Sequence, residues 1–343
     1  MKTMSNFLKK LTIPETDEHQ RQATIARWSD MTGRCSLGRL EGLVADICAM
    51  TGRPPEILKK AMILAVGDHG IAKYGVSNFP QEVTVQMVES YMRRAAGANV
   101  LARHAGISDD GFFVVDVGVN ADLPPGQRLI NKKIAYGTED FTEGPAMSRE
   151  QALLSLEAGF SVANDCIDAG YQMLVLSEMG IGNTTSSAAI ASVFTGLEPK
   201  QTVGRGTGIG DKRLTIKQQV VVRGLVVNQP DKRDPVGVLA KVGGYELGAL
   251  AGVLLAGAAR RVPVFVDGLN ATASALIAHG LFPAARDYML PSHLSAEIGH
   301  TAMLKILGLQ PLLTANMRLG EGTGASVVIA LLDAAIGLLR RAA

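Results

Sequence analysis

The sequence predicts an α/β protein, a doubly wound, mostly parallel, Rossmann-like sheet with a small helical domain. Three observations predict it. Four short apolar runs, residues 61–66, 112–115, 173–176 and 262–266, lack the alternation of half-exposed strands, as expected when both faces of a parallel sheet are covered. Each run ends in similar chemistry: Gly67-Asp68-His69-Gly70, Asp116-Val117-Gly118-Val119-Asn120, Ser177-Glu178-Met179-Gly180-Ile181-Gly182-Asn183 and Asp267-Gly268-Leu269-Asn270. Helical patterns fill the intervals, and alternating strands and helices build parallel sheets with right-handed crossovers.

In chain order, the first ~60 residues read as helices, with Leu37, Leu40, Leu43, Val44 and Ile47 at helical spacing. The four strand runs follow, joined by helices expected over 82–105, 148–169, 184–194, 217–228, 271–279 and 295–307. An Asn after a strand is a natural helix cap. The last apolar run, residues 325–339, reads as a helix that joins the N-terminal ones. The expected division is therefore 1–60 for the helical part of a small domain, 61–315 for the α/β catalytic domain, and 316–343 for a glutamate-bearing loop and a helix packed on the small domain.

Composition excludes several classes. Hydrophobic residues make up 47% of 343 and charged residues 19%, an ordinary globular balance. Lysine and arginine number 34 against 32 acids, which gives no reason for a nucleic-acid groove. Cysteines 35, 48 and 166 form no C-x-x-C pair, so a reduced cytoplasm is expected and a zinc or disulfide framework is not. No His pair stands at i, i+4, and no metal is expected. Residues 1–22 lack the apolar core of a signal peptide. The most apolar stretches are interrupted by Arg260, Arg261, Pro263 and Asp333, short of the ~20 apolar residues that a membrane helix needs.

Candidate site residues cluster at strand ends, where open parallel sheets bind ligands; Asp68, Asp116, Glu178 and Asp267 are expected to converge there. Near the C-terminus, Arg318-Leu319-Gly320-Glu321-Gly322-Thr323-Gly324-Ala325 sets one carboxylate among glycines that admit close approach. Alone, Glu321 reads as a helix-terminus anion or as a catalytic group. Gly204-Arg205-Gly206-Thr207-Gly208-Ile209-Gly210-Asp211-Lys212 reads as a phosphate cradle with a nearby cation, or as a flexible surface loop. It fits neither a dinucleotide turn nor a Walker loop. Residues 178–185 end a strand and open a helix able to hold an anion, with Asn183 or Thr184 as its cap. Phe79, Met87 and Leu319 suit the walls of a site for a flat aromatic ligand, or plain packing. No G-x-S-x-G elbow supports a serine nucleophile.

Together, Gly67-Asp-His-Gly70, Pro80-Gln-Glu-Val-Thr84, Val115-Asp-Val-Gly118, Glu178-Met-Gly-Ile-Gly-Asn-Thr-Thr185, Gly204-Arg-Gly-Thr-Gly208, Val238-Leu-Ala-Lys-Val-Gly-Gly244, Pro291-Ser-His-Leu-Ser-Ala-Glu297 and Arg318-Leu-Gly-Glu-Gly322 resemble the nicotinate-nucleotide:dimethylbenzimidazole phosphoribosyltransferase family of cobalamin lower-ligand assembly. The resemblance implies a parallel α/β domain with a small helical domain, a cytoplasmic homodimer, and neither metal nor nicotinamide cofactor. It implies that a benzimidazole nitrogen attacks ribose C1′ of nicotinate mononucleotide, releasing nicotinate with inversion and yielding α-ribazole 5′-phosphate. Glu321 becomes the general base and Glu178 a second negative charge facing the developing cation. Met179 and Gly180 would contact substrate, as would Phe79, Met87 and Leu319. Gly204, Gly206, Thr207, Lys212, Ser292 and Ser295 would hold the 5′-phosphate. Two departures stand out: Thr32-Gly33-Arg34-Cys35-Ser36-Leu37-Gly38 replaces a Lys-Pro-x-Gly-Ser-Leu-Gly run, and Asn120 stands where Asp is common. The rival readings are phosphoribosyl transfer to another aglycone (adenine, another benzimidazole, a phenol) and a non-catalytic nucleotide-binding protein.

Overall fold

The computed structural model describes residues 6–32, 36–124 and 129–341. Strands β1 (Lys60–Gly67), β2 (Phe112–Gly118), β3 (Leu129–Asn131), β4 (Met173–Met179), β5 (Val264–Val266) and β6 (Met289–Pro291) form one sheet. Its order is β3-β2-β1-β4-β5-β6 and every neighbouring pair is parallel. Every residue of β1 and of β5 is buried, which explains why these runs are apolar without alternation. The chain reverses its direction of growth between β1 and β4, and loops at their carboxyl ends splay apart there. A two-stranded parallel ribbon, β7 (His293–Leu294) with β8 (Leu313–Thr314), follows.

Helix Arg149–Asp168 lies along helix Tyr245–Ala259, and the latter packs on β1 and β4. Small residues permit the close approach. A Cβ on Gly159 would stand 1.7 Å from the Ala249 carbonyl oxygen, and one on Gly252 1.9 Å from that of Leu156. At one end of the molecule, helices Glu18–Thr32 and Arg39–Thr51 pack together and against helix Thr323–Arg341. Arg27 Nη2 donates to the Leu339 carbonyl at 2.9 Å, and Lys60 Nζ pairs with Asp333 Oδ2 at 2.7 Å. The Thr323–Arg341 helix is apolar and long enough to cross a membrane by length and composition alone, yet 56% of its most apolar stretch is buried inside the molecule. Its apolar stripe, including Val328, Ile329, Leu332 and Ile336, serves the core.

Several elements differ from the sequence expectation, each for a local reason. The 82–105 helix is two helices, Val83–Met92 and Gly97–His104. Arg94 between them has φ 61°, and Asn99 Oδ1 accepts from the Ala96 amide at 3.3 Å to start the second. The helix expected over 295–307 begins only at His300, because residues 295–299 turn toward the cavity described below. The 217–228 helix begins earlier, at Asp211, where its polar first turn hides the period. Leu37 is exposed ahead of helix Arg39–Thr51 instead of on its buried face. Of the atypical N-terminal run, positions 33–35 lie outside the described residues.

Candidate active site

A cavity of about 400 Å³ opens across the carboxyl ends of β1 and β4, at the reversal of strand order. Val76, Phe79, Val83, Met87, Met179 and Leu319 give it an apolar wall, and Phe79 and Leu319 are 51% and 59% exposed at its mouth. Its polar side holds Glu178, Asn183, Asn270, Ser295, Glu297 and Glu321. A volume of this size suits a small aromatic or nucleotide ligand.

Glu321 reaches the cavity on an unusual backbone. Gly320, Glu321 and Gly322 all lie in the left-handed region, with φ 78°, 59° and 72°. Glycine adopts that region freely, whereas a glutamate held there costs roughly 1–2 kcal/mol. The segment is anchored from β5: Asp267 Oδ2 accepts from the Gly322 amide at 3.1 Å, and Oδ1 from the Ala325 amide at 2.8 Å. Asp267 thereby caps helix Thr323–Arg341 from another part of the chain. Burial pushes the Glu321 carboxyl up to about 7; the nearby Asp267 charge adds to this and the facing Tyr91 hydroxyl opposes it. That hydroxyl is buried without a well-aligned hydrogen bond, and burial followed by the Glu321 charge holds its own pKa well above the ordinary tyrosine value.

Glu178 forms the cavity floor. Its Oε1 lies 3.5 Å from the Glu321 amide, and the Asn183 side-chain amide donates to Oε2. Asn270 bonds it as well, yet burial dominates and raises its carboxyl to about 8, helped by the charges of Asp267 and Glu321. Burial thus favours its protonated form near neutral pH. Asn183 is no helix cap: Gly182 takes that place for helix Asn183–Thr195, and the Asn amide serves the carboxyl group instead.

The four strand-end acids do not share one site. Glu178 lines the cavity and Asp267 stands directly behind its wall. Asp68 accepts from Thr84 Oγ1 at 2.6 Å and from the Asn120 amide at 2.9 Å, tying two loops. Asp116 accepts from the Gly118 and Val119 amides and pairs with Lys133 Nζ at 2.9 Å. Asn120, the departure from the family pattern, donates its side-chain amide to Gln81 Oε1 at 3.2 Å, which an Asp could not do.

The glycine-rich loop is arranged differently from the expected empty cradle. The Gly206 amide already donates to Glu297 Oε1 at 2.7 Å, and Gly204 is the residue against which Glu297 Oε2 packs. Lys212 is exposed on the first turn of helix Asp211–Asn228 and does not line the cavity. The buried cation is Lys217, whose Nζ donates to Thr184 Oγ1 at 2.9 Å and to the Gly204 carbonyl at 3.2 Å. Burial lowers its pKa to about 8 against the opposing pull of Glu297. Thr207 lines the cavity but also holds the 77–79 loop, accepting from the Asn78 amide at 2.9 Å. Arg318 lines it too, with no ion-pair partner among the described residues. Ser295 lines the cavity, steadied by its amide bond to His300 Nδ1 at 2.9 Å. Ser292 does not; its hydroxyl is buried against the Asp267 carbonyl and His293.

Two other features invite attention. Ser186, His69 and Glu246 stand in a row at 2.9 Å spacings, as in a hydrolase, but all three are fully buried and Ser186 can reach no substrate. A second cleft of about 460 Å³ lies between the N-terminal helices and the β6 edge. Its arginines are already satisfied: Arg21 by Asp46, Arg39 by the 310 and 311 carbonyls, Arg286 by the 307 and 308 carbonyls. No cluster of metal-ligating side chains occurs among the described residues.

A family model described as Phosphoribosyltransferase matches residues 13–343. The nicotinate-nucleotide–dimethylbenzimidazole phosphoribosyltransferase of Chloroflexus aggregans is 51% identical over 305 residues, 89% of this chain and 86% of the relative. That of Geotalea uraniireducens is 48% identical over 309 residues, 90% and 87% of the two chains. The crystal structure of the Thermus thermophilus enzyme of that name superposes with a TM-score of 0.87 at 39% identity, covering 94% of this chain and 96% of that one. The chain belongs to the nicotinate-nucleotide–dimethylbenzimidazole phosphoribosyltransferase family.

Proposed function

We propose that this chain transfers the phosphoribosyl group of nicotinate mononucleotide to 5,6-dimethylbenzimidazole, giving α-ribazole 5′-phosphate and nicotinate for the lower ligand of cobalamin. One observation carries the reading. The carboxylate of Glu321 is presented on a left-handed glycine-flanked turn beside an apolar wall, with its pKa raised to about 7. A base of that pKa is well matched to abstraction near neutral pH.

The benzimidazole lies against Phe79, Met87, Met179 and Leu319. One ring nitrogen attacks C1′, and Glu321 takes the proton from the other. The C1′–N bond to the pyridinium breaks with its electron pair, which neutralises the departing nitrogen, so no general acid is needed. The cationic pyridinium ring of the bound nucleotide favours the ionised form of Glu178, which releases its proton to solvent and places a carboxylate beside the developing ribosyl cation. Asn270, whose carbonyl oxygen is buried without a partner, is suited to a ribose hydroxyl. Arg318 and Ser295 are the groups for the 5′-phosphate, with Gly180 and the 206–207 loop closing around it and Lys217 bracing that loop from behind. Gly204 supports that loop through Lys217, while Lys212 and Ser292 take no direct part.

We assign residues 1–60 and 316–343 to a small domain on the 61–315 catalytic domain, a division supported by the packing of helix Thr323–Arg341 on the N-terminal helices. A cytoplasmic homodimer follows from the family resemblance. Incubation with nicotinate mononucleotide and dimethylbenzimidazole is expected to release nicotinate and form the α-ribotide. Chromatography of products from mixed bases decides whether adenine, another benzimidazole or a phenol is preferred. No nicotinate release with any base would leave a non-catalytic nucleotide-binding protein.

A further inference from the structure

Asp267 grips the C-terminal side of the turn that carries Glu321 without reaching the cavity itself. Its two carboxylate oxygens hold the amides of Gly322 and Ala325 at 3.1 and 2.8 Å, and His293 Nδ1 stands 3.7 Å from Oδ1. The hydroxyl of Ser292 fixes its backbone carbonyl at 3.0 Å, so the side chain springs from a braced strand end. Those amides belong to the residue after Glu321 and to the first turn of the helix that follows. Three successive left-handed residues, one of them a glutamate, do not persist unless the surroundings over-determine them. On the other flank, Glu178 packs against Gly320, where an added Cβ would lie 2.8 Å from Oε1.

We propose that Asp267 is the positioning residue of the reaction, holding Glu321 in its left-handed, cavity-facing conformation by capping the turn and the helix behind it. This rests on Glu321 being the general base. Asp267 acts through backbone amides, so its loss displaces the base while leaving the apolar wall and the phosphate groups in place. Misplacement of a reacting group by about 1 Å is enough to lower a rate about 10²-fold.

Steady-state kinetics of Asp267→Asn test this. The expected result is a fall in kcat of about 10²-fold with KM for nicotinate mononucleotide changed by less than about threefold. The acid limb of the kcat profile should also move to lower pH, because the Asp267 charge raises the Glu321 pKa. The groups facing Glu321 are Tyr91 from helix Val83–Met92, Glu178 from β4 and Asp267 from β5, and only the last is changed. In a Glu321→Gln background, Asp267→Asn should leave the residual rate unchanged. A further drop there as large as in the wild type, or near-wild-type kcat in the single variant, overturns the proposal. If Asp267→Asn is too unstable to assay, Glu321→Gly, which removes the strained residue, should recover melting temperature in that background; no recovery overturns it equally. Full activity of Glu321→Gln alone would instead refute the assignment of the base.

Discussion

The two halves of the sheet use the same strand-end design for opposite purposes. At the ends of β1 and β2, Asp68 and Asp116 are consumed by protein partners: a threonine, loop amides and Lys133. At the ends of β4 and β5, Glu178 and Asp267 face or brace the cavity. The motifs look alike, and burial raises the Asp68 carboxyl as it does those of Glu178 and Asp267, yet only Glu178 lines the cavity and only Asp267 braces the C-terminal glycine segment. The lesson is that burial alone assigns no role: a buried acid serves the site where it meets the C-terminal glycine segment. It becomes structural where a lysine or a full set of loop donors completes it.

Breaking each half separately sharpens this contrast. The largest effect is expected for Glu321→Gln: turnover falls about 10³-fold while nucleotide affinity is kept, as equilibrium binding can check. In the wild type the same base requires kcat/KM to rise with pH through about 7, since the protonated form below that value cannot accept a proton. Next comes Asp116→Asn, which leaves the Lys133 charge without its acid; chemical unfolding should show a loss of about 3 kcal/mol with kcat unchanged. Glu178→Gln should do the reverse. A folded pKa of about 8 against an ordinary 4.5 means that wild-type stability is lost progressively as pH rises from 4.5 to about 8. The variant escapes that loss, so the stability it gains should be roughly 3 kcal/mol larger at pH 8 than at pH 5, while it turns over more slowly. Smallest is Phe79→Ala, where a half-exposed wall residue is removed; KM for the base should rise about tenfold with little change in kcat.

Much of this was legible in the sequence because it is written in short-range pattern. Non-alternating apolar runs placed the strands to within a few residues, and the glycines around Glu321 marked the turn. What escaped depends on three-dimensional partners. Asn183 and Asn270 look like helix caps, but their amides hold Glu178, a role set by strands that meet only in the fold. Glu297 enters the glycine loop from 91 positions away in the chain. Lys217, by contrast, had a signal. Buried Val220, Val221 and Gly224 lie three, four and seven positions after it, which sets it on the inward face of its helix, while Lys212 lies on the outward one.

The helix that begins at Thr323 has a mechanical consequence. Its first turn carries the clamp beside Glu321, and its later turns pack on Glu18–Thr32 and Arg39–Thr51, with Leu339 held by Arg27. At 1.5 Å per residue its 19 residues make a rod of about 28 Å. Pivoted at the far end by about 2°, such a rod swings its near end by about 1 Å, a displacement on the scale that degrades catalysis about 10²-fold. Residues of the N-terminal helices, remote from the cavity, thus set the aim of the carboxylate, as the mount of a lens sets its focus.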